Sequence, residues 1–102
     1  MAKNIKTAKQ LERHFKGVAN HWRIEILLLI EKNPDMSVEE IAAALWANFK
    51  TVSEHTRRLV AAGLVDKRYR GRKVEHTLSP YGKIFTRFII TFQYIPLLEN
   101  VS

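Results

Sequence analysis

"NFKTVSEHTRRLVAAGLV", Asn48 to Val65, is the stretch from which the rest of the chain can be read. Val52, Thr56, Leu59 and Val60 recur at three- and four-residue steps, which puts them on the inward side of one helix. Asn48 can cap that helix, because its short side chain accepts from free backbone amides. Gly63 stands where a left-handed C-cap belongs, and Leu64 can fold back against the helix. The outward side carries Phe49, Lys50, Ser53, Glu54 and Arg57, with Arg58 at its flank. A structural helix would mix its signs more evenly than this basic face does.

Towards the N-terminus, "SVEEIAAAL" opens with Ser37 three residues before Glu40, the spacing of a capping box. It predicts a short helix, joined to the first by a tight turn at "WAN". Farther back, "HWRIEILLLIEK" is apolar on most sides and is expected to be buried, capped by Asn20 and ended by Asn33-Pro34. Ile5, Ala8, Leu11, Phe15 and Val18 mark one face of a first helix over about residues 6–18.

Towards the C-terminus the period changes to two. Val65, Lys67 and Tyr69 alternate with Asp66, Arg68 and Arg70; after Gly71-Arg72, Val74, His76 and Leu78 alternate with Glu75 and Thr77. Two alternating runs joined across a glycine predict a β-hairpin whose exposed face and tip carry Arg68, Arg70, Arg72 and Lys73. Ser79-Pro80 starts a last helix over about residues 80–96, which Pro96 stops. The predicted fold is mainly α with a small β-hairpin (α+β), in the order α-α-α-α-β-β-α, as a single domain over residues 1–102. Two short helices across a tight turn, followed by a basic hairpin, describe a winged helix-turn-helix. Its helix-turn-helix covers about residues 37–62 and its wing about 64–78, and the second helix of the pair enters the major groove.

The composition agrees. The 102 residues are 46% hydrophobic, enough for one modest core. The chain has no cysteine, which removes disulfides, thiolate metal sites and thiol redox sensing. No apolar run follows the lysines of "MAKNIKTAKQ", so no signal peptide is read and a cytoplasmic location is expected. The net charge is +7. Residues 48–83 hold nine Lys/Arg against three Asp/Glu, whereas residues 1–47 hold seven against six. A basic field concentrated on one part of a fold suits a polyanion, and double-stranded DNA is the expected partner.

With the elements in this order, the chain resembles the ArsR/SmtB-type winged-helix regulators over about residues 11–80. "VANHWRIEILLLI" resembles the family's second-helix opening, with Arg23 at its usual arginine and Ile26-Leu27 at its Ile-Leu pair. "SVEEIAAAL" resembles the helix before the recognition helix. "KTVSEHTRRLVAAGLV" carries Thr51, Val52, Ser53, His55, Leu59, Gly63, Leu64 and Val65 where the family pattern has them, and "RGRKVEHTL" resembles the wing. Three departures matter. Val38, Glu39, Glu40 and Ile41 stand where metal-sensing members place cysteines. The last helix has no Asp, Glu or His between Leu78 and Leu98, so neither metal site carries over. Trp46 stands where the turn usually has glycine. It either packs on the helix pair, the favoured reading, or touches a DNA backbone.

Site residues follow. Lys50 and Arg57 can pair with phosphates or guanine edges, Ser53 with a base edge or phosphate, and Thr51 lies among the free amides of the first turn. Phe49 can touch a thymine methyl or staple the helix, and Glu54 can accept from cytosine or repel phosphates. Arg58 and Arg68 suit backbone contacts, while Arg70, Arg72 and Lys73 can lie beside the minor groove. His55 reads as a partly buried histidine with a local hydrogen bond. His14 with His21, and His55 with His76, lack metal-ligand spacing, so no metal or other cofactor is expected.

Leu11 and Phe15 of the first helix join Ile84, Phe85, Phe88, Ile89, Phe92 and Ile95 of the last in an apolar face too broad for one small core. A membrane span is the rival, but the segment is short and contains Arg87. Pairing with a second copy is expected, as in related regulators. It would present two recognition helices about 34–36 Å apart to a near-palindromic site. The resulting expectation is a homodimeric repressor, not an enzyme, whose effector no residue pattern identifies. The alternatives are a protein-interaction module of a larger assembly and a low-specificity architectural DNA binder.

Overall fold

In the computed structural model, which describes residues 5–95, α1 spans Ala8–Val18, α2 His21–Lys32, α3 Val38–Leu45 and α4 Phe49–Ala61. The strands β1 (Val65–Arg70) and β2 (Lys73–Leu78) follow, and then α5 (Pro80–Gln93). The order is the expected one. Every helix starts at a short polar side chain that accepts from its first amides: Thr7, Asn20, Ser37, Asn48 and Ser79. Ser37 and Glu40 form the expected capping box. Thr7 and Gln10 form a second, which moves the start of the first helix from the expected residue 6 to Ala8. Pro96, the expected stop of the last helix, lies outside the described residues.

The core gathers Ile26, Leu27 and Ile30 of α2, Ile41 of α3, Val52 and Leu59 of α4, and Leu64, Val65 and Leu78 around the hairpin base. The apolar stripe of α1 does not join it. Leu11 and Phe15 are exposed, and the buried residues of α1 are His14 and Gly17. The cause is close crossing: a Cβ on Gly17 would fall 2.5 Å from the Cβ of Ala62, so only this side of α1 fits against the end of α4. His14 Nδ1 lies 3.1 Å from the Ala62 carbonyl. Arg23 ties the same corner together, donating from Nη1 to the carbonyls of Lys16 and Gly17 and from Nε to His55 Nδ1 at 3.2 Å.

The hairpin pairs Val65 with Leu78 at its base and Arg70 with Lys73 at its tip. Its β2 edge takes one further bridge, Met36 to His76, that the alternation did not reveal. His76 donates its amide to the Met36 carbonyl and accepts from Asp35 N, both at 3.0 Å. Its ring Nδ1 also lies 2.8 Å from that carbonyl, so this nitrogen carries the proton. The loop before α3 is thereby fastened to the wing.

At the other end, α5 enters through small residues. Gly82 and Thr86 are its buried positions, and Ser79 Oγ donates to the Gly63 carbonyl at 2.6 Å. Ser79 N donates to the Leu64 carbonyl, and a Cβ on Gly82 would fall 1.9 Å from that same oxygen.

Candidate nucleic-acid interface

The helices α3 and α4 end in the same pair of hydrogen bonds. Leu64 N donates to Leu59 O and Gly63 N to Val60 O; Ala47 N donates to Ala42 O and Trp46 N to Ala43 O. This motif needs a left-handed residue at its corner. Gly63 supplies it after α4 with φ 77°, and Trp46 supplies it after α3 with φ 54° and ψ 40°. A side chain in that region costs roughly 1–2 kcal/mol. The expected packing of Trp46 on the helix pair does not occur: the residue is 96% exposed, because the left-handed corner turns its side chain away from both helices.

Beyond the turn, α4 divides as expected. Val52, Thr56 and Leu59 are buried, Phe49, Lys50, Arg57 and Arg58 are exposed, and Thr51, Ser53 and Glu54 are half-buried. Asn48 Oδ1 accepts from Lys50 N at 2.7 Å, which occupies part of the helix start. Glu54 is the organising acid of the face. Arg57 Nη2 donates to its two oxygens at 2.6 and 2.8 Å, and Arg58 Nε donates at 2.9 Å. These bonds, Arg57's first, hold the Glu54 carboxyl below the usual carboxylate range. Lys50 forms no ion pair among the described residues.

The wing is less free than its sequence suggests. Arg68 Nη2 lies 3.5 Å and Arg70 Nε 3.4 Å from Glu75 Oε1, and Arg68 reaches Asp35 at 3.9 Å. Glu75, which the alternation put on an exposed face, is only 7% exposed, because those two arginines cover it. Lys73 pairs with Glu40 at 3.2 Å. The Ser37 amide first, and then Lys73, keeps the Glu40 carboxyl below its ordinary value. Arg72 at the tip has no ion pair among the described residues.

The opposite hairpin face holds what sequence reasoning missed. Lys67 and Tyr69 share a face with the buried Val65 and His76, yet both are exposed, since the hairpin extends past the core. With Phe49, Val38, Arg72 and Lys73 they line a groove of about 380 Å³ between the start of α4 and the wing. Their only signal in the sequence is the mixed character of the alternation: lysine and tyrosine where a buried strand would place aliphatic residues.

A second surface lies on α1 and α5. Leu11, Phe15, Ile84, Phe85 and Phe88, with Lys6, His14 and Tyr81, line an apolar groove of about 380 Å³. Phe15 and Phe85 meet edge to face at 5.1 Å, and Phe92 lies 5.7 Å from Phe88. Phe85 and Ile89 are shared with the core and Ile95 is half-buried, whereas Phe15, Ile84, Phe88 and Phe92 are each more than half exposed. Among the described residues no group of three or more His, Asp or Glu could hold a metal, and no helix is long and apolar enough to cross a membrane.

Comparison with known proteins places this arrangement. The model of the bacterial regulatory protein, arsR family, matches residues 21–67, from the start of α2 into β1. A homodimeric winged helix-turn-helix DNA-binding domain from Mycobacterium bovis (Mb0332, a possible ArsR-family transcriptional regulator) superposes with a TM-score of 0.75. It is 27% identical, over 84% of this chain and 81% of that one. A crystal structure of a possible transcriptional regulatory protein from the same organism is 30% identical, with 86% and 91% of the two chains covered and a TM-score of 0.70. HlyU from Vibrio cholerae is 28% identical over 92% and 95%, also with a TM-score of 0.70. No curated protein sequence matches the chain.

Proposed function

The chain belongs to the ArsR family of bacterial regulatory proteins, winged-helix DNA-binding transcriptional regulators, and from that premise we propose a homodimeric repressor of a near-palindromic operator. The observation that carries the reading is the division of α4. Its buried side fixes the helix to the core, and its exposed side presents Lys50, Arg57 and Arg58. Such a helix can enter a major groove without disturbing the fold.

In this reading Lys50, Thr51, Ser53 and Arg57 face the groove, and Phe49 touches a base methyl at its wall. Arg57 and Arg58 leave Glu54 for the DNA, and Glu54 then accepts from a cytosine amine or turns phosphates away. Arg58 and Arg68 take backbone oxygens. Arg70, Arg72 and Lys73 lie along the minor groove, where arginine responds to groove width. The exposed apolar face of α1 and α5 pairs with a second copy, and the homodimeric state of the Mycobacterium bovis domain supports that pairing. Bound protein then blocks promoter access.

The test is fluorescence anisotropy across a salt series, with one duplex from upstream of the protein's own gene and a scrambled copy. Tight binding to the first, with a steep salt slope and a preference of roughly a thousandfold, is expected. Equal binding to both would make the protein an architectural binder. No binding at low salt would remove DNA from the reading.

A further inference from the structure

The two helices of the helix-turn-helix close with the same hydrogen bonds, but one uses Gly63 and the other Trp46. Glycine occupies the left-handed corner freely, while tryptophan holds it against strain. The indole returns nothing to the fold, being the most exposed of the large apolar side chains described. A chain that needed only the turn would be better served by glycine. A strained backbone that displays an unburied aromatic ring points to a partner for that ring.

The placement identifies the partner. Trp46 lies two residues ahead of Asn48, the cap of α4. Phe49 and Lys50 on the following turn are exposed, and Lys50 has no ion pair among the described residues. An aromatic ring followed by a second ring and a free cation, at the helix end that enters the major groove, suits the strand bordering that groove. An indole offers a flat apolar face to a deoxyribose and an N–H to a phosphate oxygen.

We infer that Trp46 is a DNA contact: its ring packs on the sugar of the bordering strand, its indole N–H donates to a phosphate oxygen, and together they fix how far α4 enters the groove. The inference rests on the DNA-binding reading above. It concerns the backbone, so it applies to the operator and to random duplex alike.

The binding experiment compares the full chain with Trp46→Gly, Trp46→Phe and Lys50→Gln on the upstream duplex and its scrambled copy across a salt series, and a fourth variant, Trp22→Phe, serves for fluorescence. Trp46→Gly is expected to raise Tm by a few degrees while weakening binding to both duplexes about tenfold. Because the indole is uncharged, the salt slope stays unchanged; Lys50→Gln lowers it by about one. Trp46→Phe keeps the ring, loses the donor and falls between. In Trp22→Phe protein, whose emission comes from Trp46 alone, saturating duplex shifts that emission to the blue.

Tighter folding with unchanged affinity, beside a weakened Lys50→Gln, would overturn the inference, leave the DNA reading intact and give the ring to a protein partner. A lower Tm for Trp46→Gly would overturn it by showing that the indole supports the fold. If the wild-type chain binds neither duplex at low salt, the DNA reading falls first and the inference with it.

Discussion

Three carboxylates divide the cations of the candidate interface into two kinds. Glu54 lies near the surface, where solvent screens its ion pairs, so in the proposed complex a phosphate can displace it from Arg57 and Arg58. Glu40 and Lys73 form a similar exposed pair. Glu75 differs. Its carboxylate lies beneath Arg68 and Arg70, so the two arginines both pair with it and screen it from water. Arg57 and Arg58 therefore share an acid open to solvent, whereas Arg68 and Arg70 share one that they themselves cover.

His55 is the titratable group with the clearest consequence. Burial first, and then the charge of Arg23, holds its pKa below the usual imidazole range. Arg23 Nε donates to its Nδ1, which requires the neutral ring. The unfolded chain takes that proton near its ordinary value, about 6.5, so the folded state binds fewer protons in this range. Stability is fullest above that value, falls as pH drops through it, and levels off below the depressed folded value. Tm is expected to decline as pH falls through about 6.5, and His55→Gln to flatten that decline, measured by thermal melts in matched buffers. That His55 would be partly buried was legible in the sequence. Its partner was not, because Arg23 reaches it only through the packing of α2 on α4. Trp46 misled for a related reason: an aromatic residue between two apolar helices reads as core until the sign of its φ is known.

At the scale of elements, starts were more legible than facings. A capping residue acts within four positions of itself, so Ser37, Asn48 and Ser79 could be read one at a time. Facing depends on a neighbour's shape. The period of α1 put Leu11 and Phe15 on one outer stripe, but it did not show that Gly17 and His14 would make the close fit against α4. The hairpin alternation showed which residues share a face, but not where the core ends, which is why Lys67 and Tyr69 went unassigned. The tightest fit of all is Gly82 against the Leu64 carbonyl. The obstacle there is backbone and cannot rotate away, so Gly82→Ala is expected to cost about 3 kcal/mol, read as a lower urea midpoint. Out of a domain total of about 5–15 kcal/mol, that removes between about a fifth and three fifths.

For the whole molecule, the surplus of apolar surface was legible in composition and helix periodicity. Its division was not. Phe85 and Ile89 turn to the core, while Ile84, Phe88 and Phe92 turn outward. In the proposed dimer those outward residues are the contact. Ile84→Glu with Phe88→Glu is expected to convert a species of twice the chain mass into one of the single mass in sedimentation equilibrium. It should also weaken operator binding by at least about tenfold, since each recognition helix would bind alone. A single-mass wild type at micromolar concentration would sink the pairing.

The Leu64 carbonyl lies where the recognition helix has just ended and α5 begins. It accepts from Ser79 and leaves no room for a side chain at Gly82. That junction behaves as a rivet, not a hinge. In the proposed dimer, the outer residues of α5 can drift among isoleucine, leucine and phenylalanine, loosening or tightening the pair, while the reading heads keep their pitch. Affinity between subunits and spacing on the operator would then evolve as separate traits, the first by ordinary substitution and the second only by re-cutting the rivet.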